Sequence, residues 1–186
     1  DMRRALYPFN QSRIQQGFDP ITMGIGLHSG NLMLGTVGSE DRLDTTVIGD
    51  TVNLASRLES MTKTFKISIL LSDSVRALLP DHHHFRLREI DTVRVKGRTN
   101  PVVVYEAYDG DPEALLQDKE KSLKSYQEAL GYYKIGKFDH ALSIFQELSR
   151  EFPEDNVPQM YVRRCIKLKE NPPGPGWRGI SRMVMK

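Results

Sequence analysis

Asn53 and Arg57 stand four residues apart in the run Thr45-Thr46-Val47-Ile48-Gly49-Asp50-Thr51-Val52-Asn53-Leu54-Ala55-Ser56-Arg57. The run reads as a short strand, a tight turn at Gly49-Asp50 and a helix to about Met61. On a helix this spacing stacks two side chains on one face, one turn apart. A neutral hydrogen-bonding amide and a permanent cation then point at one place. Such a pair suits a sugar oxygen beside a phosphate that gains negative charge during a reaction. Taken alone, the same residues could belong to an ordinary strand-turn-helix unit with a capping Asn and a solvated Arg.

The neighbouring sequence must position that helix. Met2 to Gln16 has a helical pattern. Ile21 to Leu27 reads as a strand, Ser29-Gly30-Asn31 as a turn and Leu32 to Val37 as a returning strand, so these two are expected to form a hairpin. Gly38 to Leu43 is polar and is expected to be an exposed arm or loop. Lys66 to Leu71 is a β-branched strand, with Ser72 as the expected cap of a helix from Asp73 to Leu79. Phe85 to Glu89, Thr92 to Val95 and Val102 to Tyr108 read as three more strands. Gly24, Gly26, Gly30, Gly35 and Gly38 suit turns and close backbone approach. No Gly-Lys-Ser/Thr follows them, so they do not form a Walker-type phosphate loop. Asp50 reads as a helix cap rather than a metal ligand. His82-His83-His84 is adjacent in sequence, so its side chains alternate in direction, and a solvated loop is expected rather than a metal site.

From Glu113 onward the pattern is helical. Tyr132 to Phe145 resembles the middle of a tetratricopeptide repeat: Gly136 permits a tight turn between antiparallel helices, Ala141 allows close helix contact, and Phe138 and Phe145 fill the groove. A further helix is expected from about Pro158 to Glu170. One repeat cannot bury a solenoid core by itself, so this unit is expected to pack on the preceding domain or on a protein partner. Asn171 to Lys186 holds three prolines and three glycines and reads as an extended tail. Its Trp177 either docks on the helices or belongs to a loose end.

A chain of 186 residues can bury a substantial core in one large or two small domains. A net charge of +2 with mixed signs does not suggest a nucleic-acid partner. No run approaches the roughly 18 apolar residues of a membrane span, so no membrane contact by this segment is expected. The lone Cys165 cannot form an internal disulfide, which fits a reducing, cytoplasmic setting, and its neighbours mark it as a structural thiol.

The stretch from Met23 to Tyr108 resembles the class III nucleotidyl cyclases, which make cyclic AMP or cyclic GMP. The resemblance rests on Gly24-Ile25-Gly26-Leu27-His28-Ser29-Gly30, Gly35-Thr36-Val37-Gly38-Ser39, the Thr45–Arg57 run, and Val95-Lys96-Gly97-Arg98, in family order and spacing. It implies an α/β (α+β) fold: a partial ferredoxin-like cyclase domain over 1–110, a helical-hairpin extension over 111–170 and the tail over 171–186. It implies that Asn53 orients the ribose, Arg57 stabilises charge at the α-phosphate, Lys96 binds the triphosphate and Thr46 helps select adenine, making ATP the expected substrate. It further implies a homodimer with shared active sites, and Mg2+ or Mn2+ held by two aspartates of the family's first half. Asp1, Asp19, Asp41 and Asp44 do not sit in that pattern, so the metal ligands are expected upstream and this segment alone is expected to be inactive. The alternative is a non-catalytic cyclase-homology module for regulation or interaction.

Overall fold

The computed structural model describes residues 2–39, 42–95 and 100–182. Their elements are α1 (Met2–Gln15), β1 (Ile25–Leu27), β2 (Met33–Ser39), β3 (Arg42–Ile48), α2 (Asp50–Phe65), β4 (Ile69–Ser72), α3 (Asp73–Arg76), β5 (Leu87–Arg94), β6 (Val102–Ala107), α4 (Glu113–Lys134), α5 (Phe138–Glu151), α6 (Asn156–Glu170) and β7 (Ile180–Arg182). The architecture is mixed α+β. Five strands form one sheet in the order β1-β4-β6-β5-β7, and β2 and β3 form a separate antiparallel pair.

The hairpin pairing differs from the sequence expectation. β1 does not turn back on β2. It pairs in parallel with β4, Ile25 opposite Ile69 and Leu27 opposite Leu71. β2 pairs instead with β3, from Met33 opposite Ile48 to Ser39 opposite Arg42. The reason lies in the Ser29-Gly30-Asn31 segment, whose polar groups are held by Ser74 and Thr51 rather than by a two-residue hairpin ladder. The chain therefore leaves the sheet there. The expected arm at 38–43 is strand at Gly38, Ser39, Arg42 and Leu43.

Side chains alternate across a strand, so paired residues share a face. Leu70, Ser72, Val102, Val104, Glu106, Arg88 and Val93 lie on one face by this register, and all are buried. A bulge between Glu89 and Asp91 lets Ile90 and Asp91 both turn inward. This also joins the two strands expected at 85–89 and 92–95 into the single β5. α2 covers the β1–β4 end of that face, and α4–α6 cover the β5–β6 part. Their residues form one apolar cluster, including Leu58, Phe65, Ile90, Val104, Tyr126, Phe145 and Tyr161. Tyr126 and Tyr161 donate hydrogen bonds to the carbonyls of Glu89 and Ile90, at 2.8 and 2.6 Å. Those two carbonyls belong to the bulge, where the strand ladder is interrupted.

A buried ion ladder joins the helices to the sheet. Arg88 donates to Glu106 at 2.6 Å and makes a two-pronged contact with Asp155 at 2.5 and 2.8 Å. Lys119 bridges Glu106 and Asp111, and Arg3 of α1 reaches Asp111 at 2.8 Å. Burial disfavours the Arg88 charge, but Glu106 and Asp155 more than reverse this and hold its pKa well above the ordinary value. The tail is tied down as well. Trp177 stands edge-on to Tyr133 and Phe138 and donates to the Tyr133 carbonyl at 3.0 Å. β7 then pairs in parallel with β5.

Candidate functional site

α2 is amphipathic, and its two sides have different tasks. Thr51, Leu54, Leu58, Met61, Thr62 and Phe65 are buried against the sheet and helices. Gly26 makes this close approach feasible: a Cβ there would lie 2.3 Å from both the Ala55 carbonyl and the Glu59 amide. Asn53 and Arg57 fall on a flank of the helix away from that contact, Asn53 exposed and Arg57 half-buried. The two sit in the first two turns, where the chain has just left β3. The helix runs to Phe65, one turn beyond the expected end, and closes on Lys66 in the left-handed conformation, φ 54°.

Gly49 is the N-cap residue, and no side chain caps the helix. The expected cap, Asp50, is instead the first helical residue, where its charge complements the helix dipole. The first turn is steadied otherwise. Thr51 donates its hydroxyl proton to the Asn31 carbonyl at 2.5 Å, and the Asn53 backbone N–H donates to the Gly49 carbonyl at 3.3 Å.

Of the four residues singled out in the sequence, the structure places Asn53 and Arg57 on one helix flank. Thr46 is opposite Gly35 in the β2–β3 pair, three residues before Gly49, and its side chain is not described. Lys96 lies outside the described residues. Among the described residues no group of three or more His, Cys, Asp or Glu is arranged to hold a metal ion. In the histidine run, His82 and His84 are exposed, and His83 stacks on Phe85 at 6.0 Å. A hollow of about 1080 Å3 is open to solvent between α1, residues 21–24 and the later turns of α2; neither Asn53 nor Arg57 lines it.

Sequence reasoning missed one polar cluster beside this site. His28 Nδ1 lies 2.8 Å from Ser72 Oγ and 3.0 Å from Ser74 Oγ, and the two hydroxyls are 2.9 Å apart. Ser72, expected to cap the next helix, makes no capping bond and faces His28 instead. That helix, α3, stops at Arg76, short of the expected Leu79. The Leu-His-Ser-Gly sequence carries no sign of partners more than forty residues away.

Residues 1–107 match the family model for the adenylate and guanylate cyclase catalytic domain, and the chain belongs to that family. It is 36% identical over 151 residues to the terminal-differentiation-specific adenylate cyclase of Dictyostelium discoideum, covering 81% of this chain and 7% of that protein. It is 44% identical over 110 residues to the adenylate cyclase of Anabaena cylindrica, covering 56% of this chain and 22% of that protein. The chain thus spans well under a third of either relative. The Dictyostelium similarity is longer than the catalytic-domain match, so it takes in part of α4–α6. Among solved structures, the adenylyl cyclase CyaB from P. aeruginosa aligns with a TM-score of 0.49 at 33% identity, over 58% of this chain and 54% of that one.

Proposed function

We propose that this chain is the part of an adenylate cyclase catalytic domain that grips the ribose and phosphates of ATP. The carrying observation is the placement of Asn53 and Arg57 on one flank of a helix whose other side is fixed to the sheet. The reaction joins the ribose 3′-oxygen to the α-phosphorus and breaks the bond to the bridging oxygen, releasing pyrophosphate and cyclic AMP. Its barrier is lowered chiefly by positioning and by stabilising charge on phosphate oxygens. Asn53 orients the ribose through its amide. Arg57 meets the charge that develops on the α-phosphate, a task its planar, always-protonated fork suits. Lys96 takes the outer phosphates. Thr46, whose hydroxyl can both donate and accept, reads the adenine edge. The names of the relatives support ATP as the nucleotide.

The family reading brings Mg2+ or Mn2+, which would neutralise the triphosphate. The described residues do not fit such a site, so the roles above are confined to the protein's own groups. The family reading also brings a second copy. Exposed Tyr7, Phe9 and Ile14 on α1 and Met33, Leu34 and Val47 on the hairpin support a homodimer contact there. The apolar sides of α4–α6 are occupied within the chain, which disfavours them as the main partner surface. No helix among the described residues is long and apolar enough to cross a membrane. ATP as substrate and an unpaired Cys165 support a cytoplasmic setting for the domain.

The test is product formation with Mn2+ and either ATP or GTP, using this chain and the longest natural polypeptide containing it. Cyclic AMP should exceed cyclic GMP by about tenfold or more, the discrimination expected from one well-placed hydrogen bond to the base. Preference for GTP, or no cyclic product from either polypeptide, overturns the reading.

A further inference from the structure

The loop between β1 and β2 is gripped from two sides. On one side Thr51, in the first turn of α2, donates to the Asn31 carbonyl. On the other, Ser74 donates to the Ser29 carbonyl at 2.9 Å and accepts from the Ser29 amide at 3.4 Å. Ser74 is itself held by Ser72 and His28. α2 has no side-chain cap, and this loop braces its first turn through Thr51.

Counting protons favours one arrangement at His28 Nδ1. Ser74 has one hydroxyl proton, and it lies toward the Ser29 carbonyl. Its contacts with His28 Nδ1 at 3.0 Å and Ser72 Oγ at 2.9 Å are then hydrogen bonds only if those atoms donate. Ser72 can donate to only one partner. If it donated to Nδ1, two acceptor-to-acceptor contacts of 3.0 Å or less would remain around Ser74. With the proton on Nδ1 each of these contacts is satisfied: Nδ1–H is shared between the two hydroxyls and Ser72 donates to Ser74.

We propose that His28, in its Nδ1-protonated form and acting through Ser72 and Ser74, is a positioning residue for Asn53 and Arg57. The proposal rests on the cyclase reading given above. The path is continuous: His28 orders Ser74, Ser74 holds Ser29, the loop presents the Asn31 carbonyl to Thr51, and Thr51 sets the turn that carries Asn53. Gly30 belongs to the same device. A Cβ there would come within 2.8 Å of the Thr51 hydroxyl and 3.6 Å of His28 Nε2, so the loop passes close to both anchors.

The test compares His28→Ala, His28→Asn, His28→Gln and Ser74→Ala with the wild type in the polypeptide that shows turnover. The readouts are kcat and KM for ATP, amide exchange at residues 29–31 and 50–53, and the 15N signals of His28. An Asn amide places a donor near the Nδ1 position, whereas a Gln amide reaches toward the Nε2 position. The proposal expects Nδ1 to carry the proton. His28→Ala and Ser74→Ala should lower kcat about tenfold or more with little change in KM, as for a slightly misplaced catalytic group. Both should speed exchange at the loop and helix start. His28→Asn should recover most of kcat and His28→Gln should not. Wild-type kcat and exchange in His28→Ala and Ser74→Ala, or a proton on Nε2 alone, overturns it. If His28→Ala does not fold, Ser74→Ala, the smaller change, decides the question by the same readouts. If Arg57→Ala leaves turnover intact, the cyclase reading is what has failed, and the exchange and 15N results then decide the positioning role by themselves.

Discussion

Arg57 is half-buried while Asn53 is exposed, and the difference suits the tasks proposed for them. An Arg whose side chain is partly held against the protein loses less freedom on meeting a phosphate than one fully in solvent. An amide that must take hold of an arriving ribose benefits from standing clear. Cys165 shows the opposite use of burial. It is fully enclosed, and desolvation pushes its thiol up to about 11 despite the opposing charges of Arg164 and Lys169. Thiolate is the reactive form. Cys165 should therefore resist alkylation by iodoacetamide at pH 8 in the native protein and react fully in denaturant, as mass spectrometry would show. Rapid native labelling would mean that α6 opens readily.

At the scale of elements, the decisive contact is α2 on β1. Gly26→Ala would set a methyl 2.3 Å from backbone atoms of Ala55 and Glu59, neither of which can rotate away. The helix must shift by roughly an ångström, at about 1–3 kcal/mol by comparison with overpacked cores. Because that helix carries Asn53 and Arg57, kcat should fall about a hundredfold, the scale of a one-ångström misplacement. A lowered melting temperature together with lowered kcat is expected; unchanged kcat would separate the helix from catalysis. This helix was legible in sequence, since its apolar spacing and the Gly-Asp turn are local signals. The partner of β1 was not. The Ser29-Gly30-Asn31 segment has hairpin composition, and only the contacts of Ser74 and Thr51, distant in sequence, show that it is a braced loop. The Asn53/Arg57 pair was equally legible from spacing, whereas the His28–Ser72–Ser74 cluster depends on β1 and β4 lying side by side.

At the scale of the whole molecule, α4–α6 share a core and a charge ladder with the catalytic sheet. Asp155 illustrates the coupling. Burial by itself would raise its pKa, but its bonds and charge interactions with Arg88, helped by Lys119, hold it below the ordinary 3.8. A carboxyl depressed in the folded state contributes stability that is complete above the unfolded value and is lost as pH falls through the folded one. Asp155→Asn should cost about 1.5–3 kcal/mol at pH 7, since Arg88 loses its two-pronged charged partner while keeping Glu106. The gap between wild type and variant should narrow below about pH 3.8, measured by urea unfolding. A constant gap across pH would show that the pair adds no net charge stabilisation. None of this ladder is visible in sequence, where Arg88 and Asp155 are two charged residues among many, 67 positions apart.

Arg57→Ala tests whether Arg57 stabilises charge on a reacting phosphate. In the polypeptide that makes cyclic AMP from Mn2+-ATP, the variant should lose about a hundredfold to a thousandfold in kcat. Its KM for ATP should change little. A variant that turns over at the wild-type rate, or one that loses only nucleotide affinity, would show that Arg57 does not stabilise that charge.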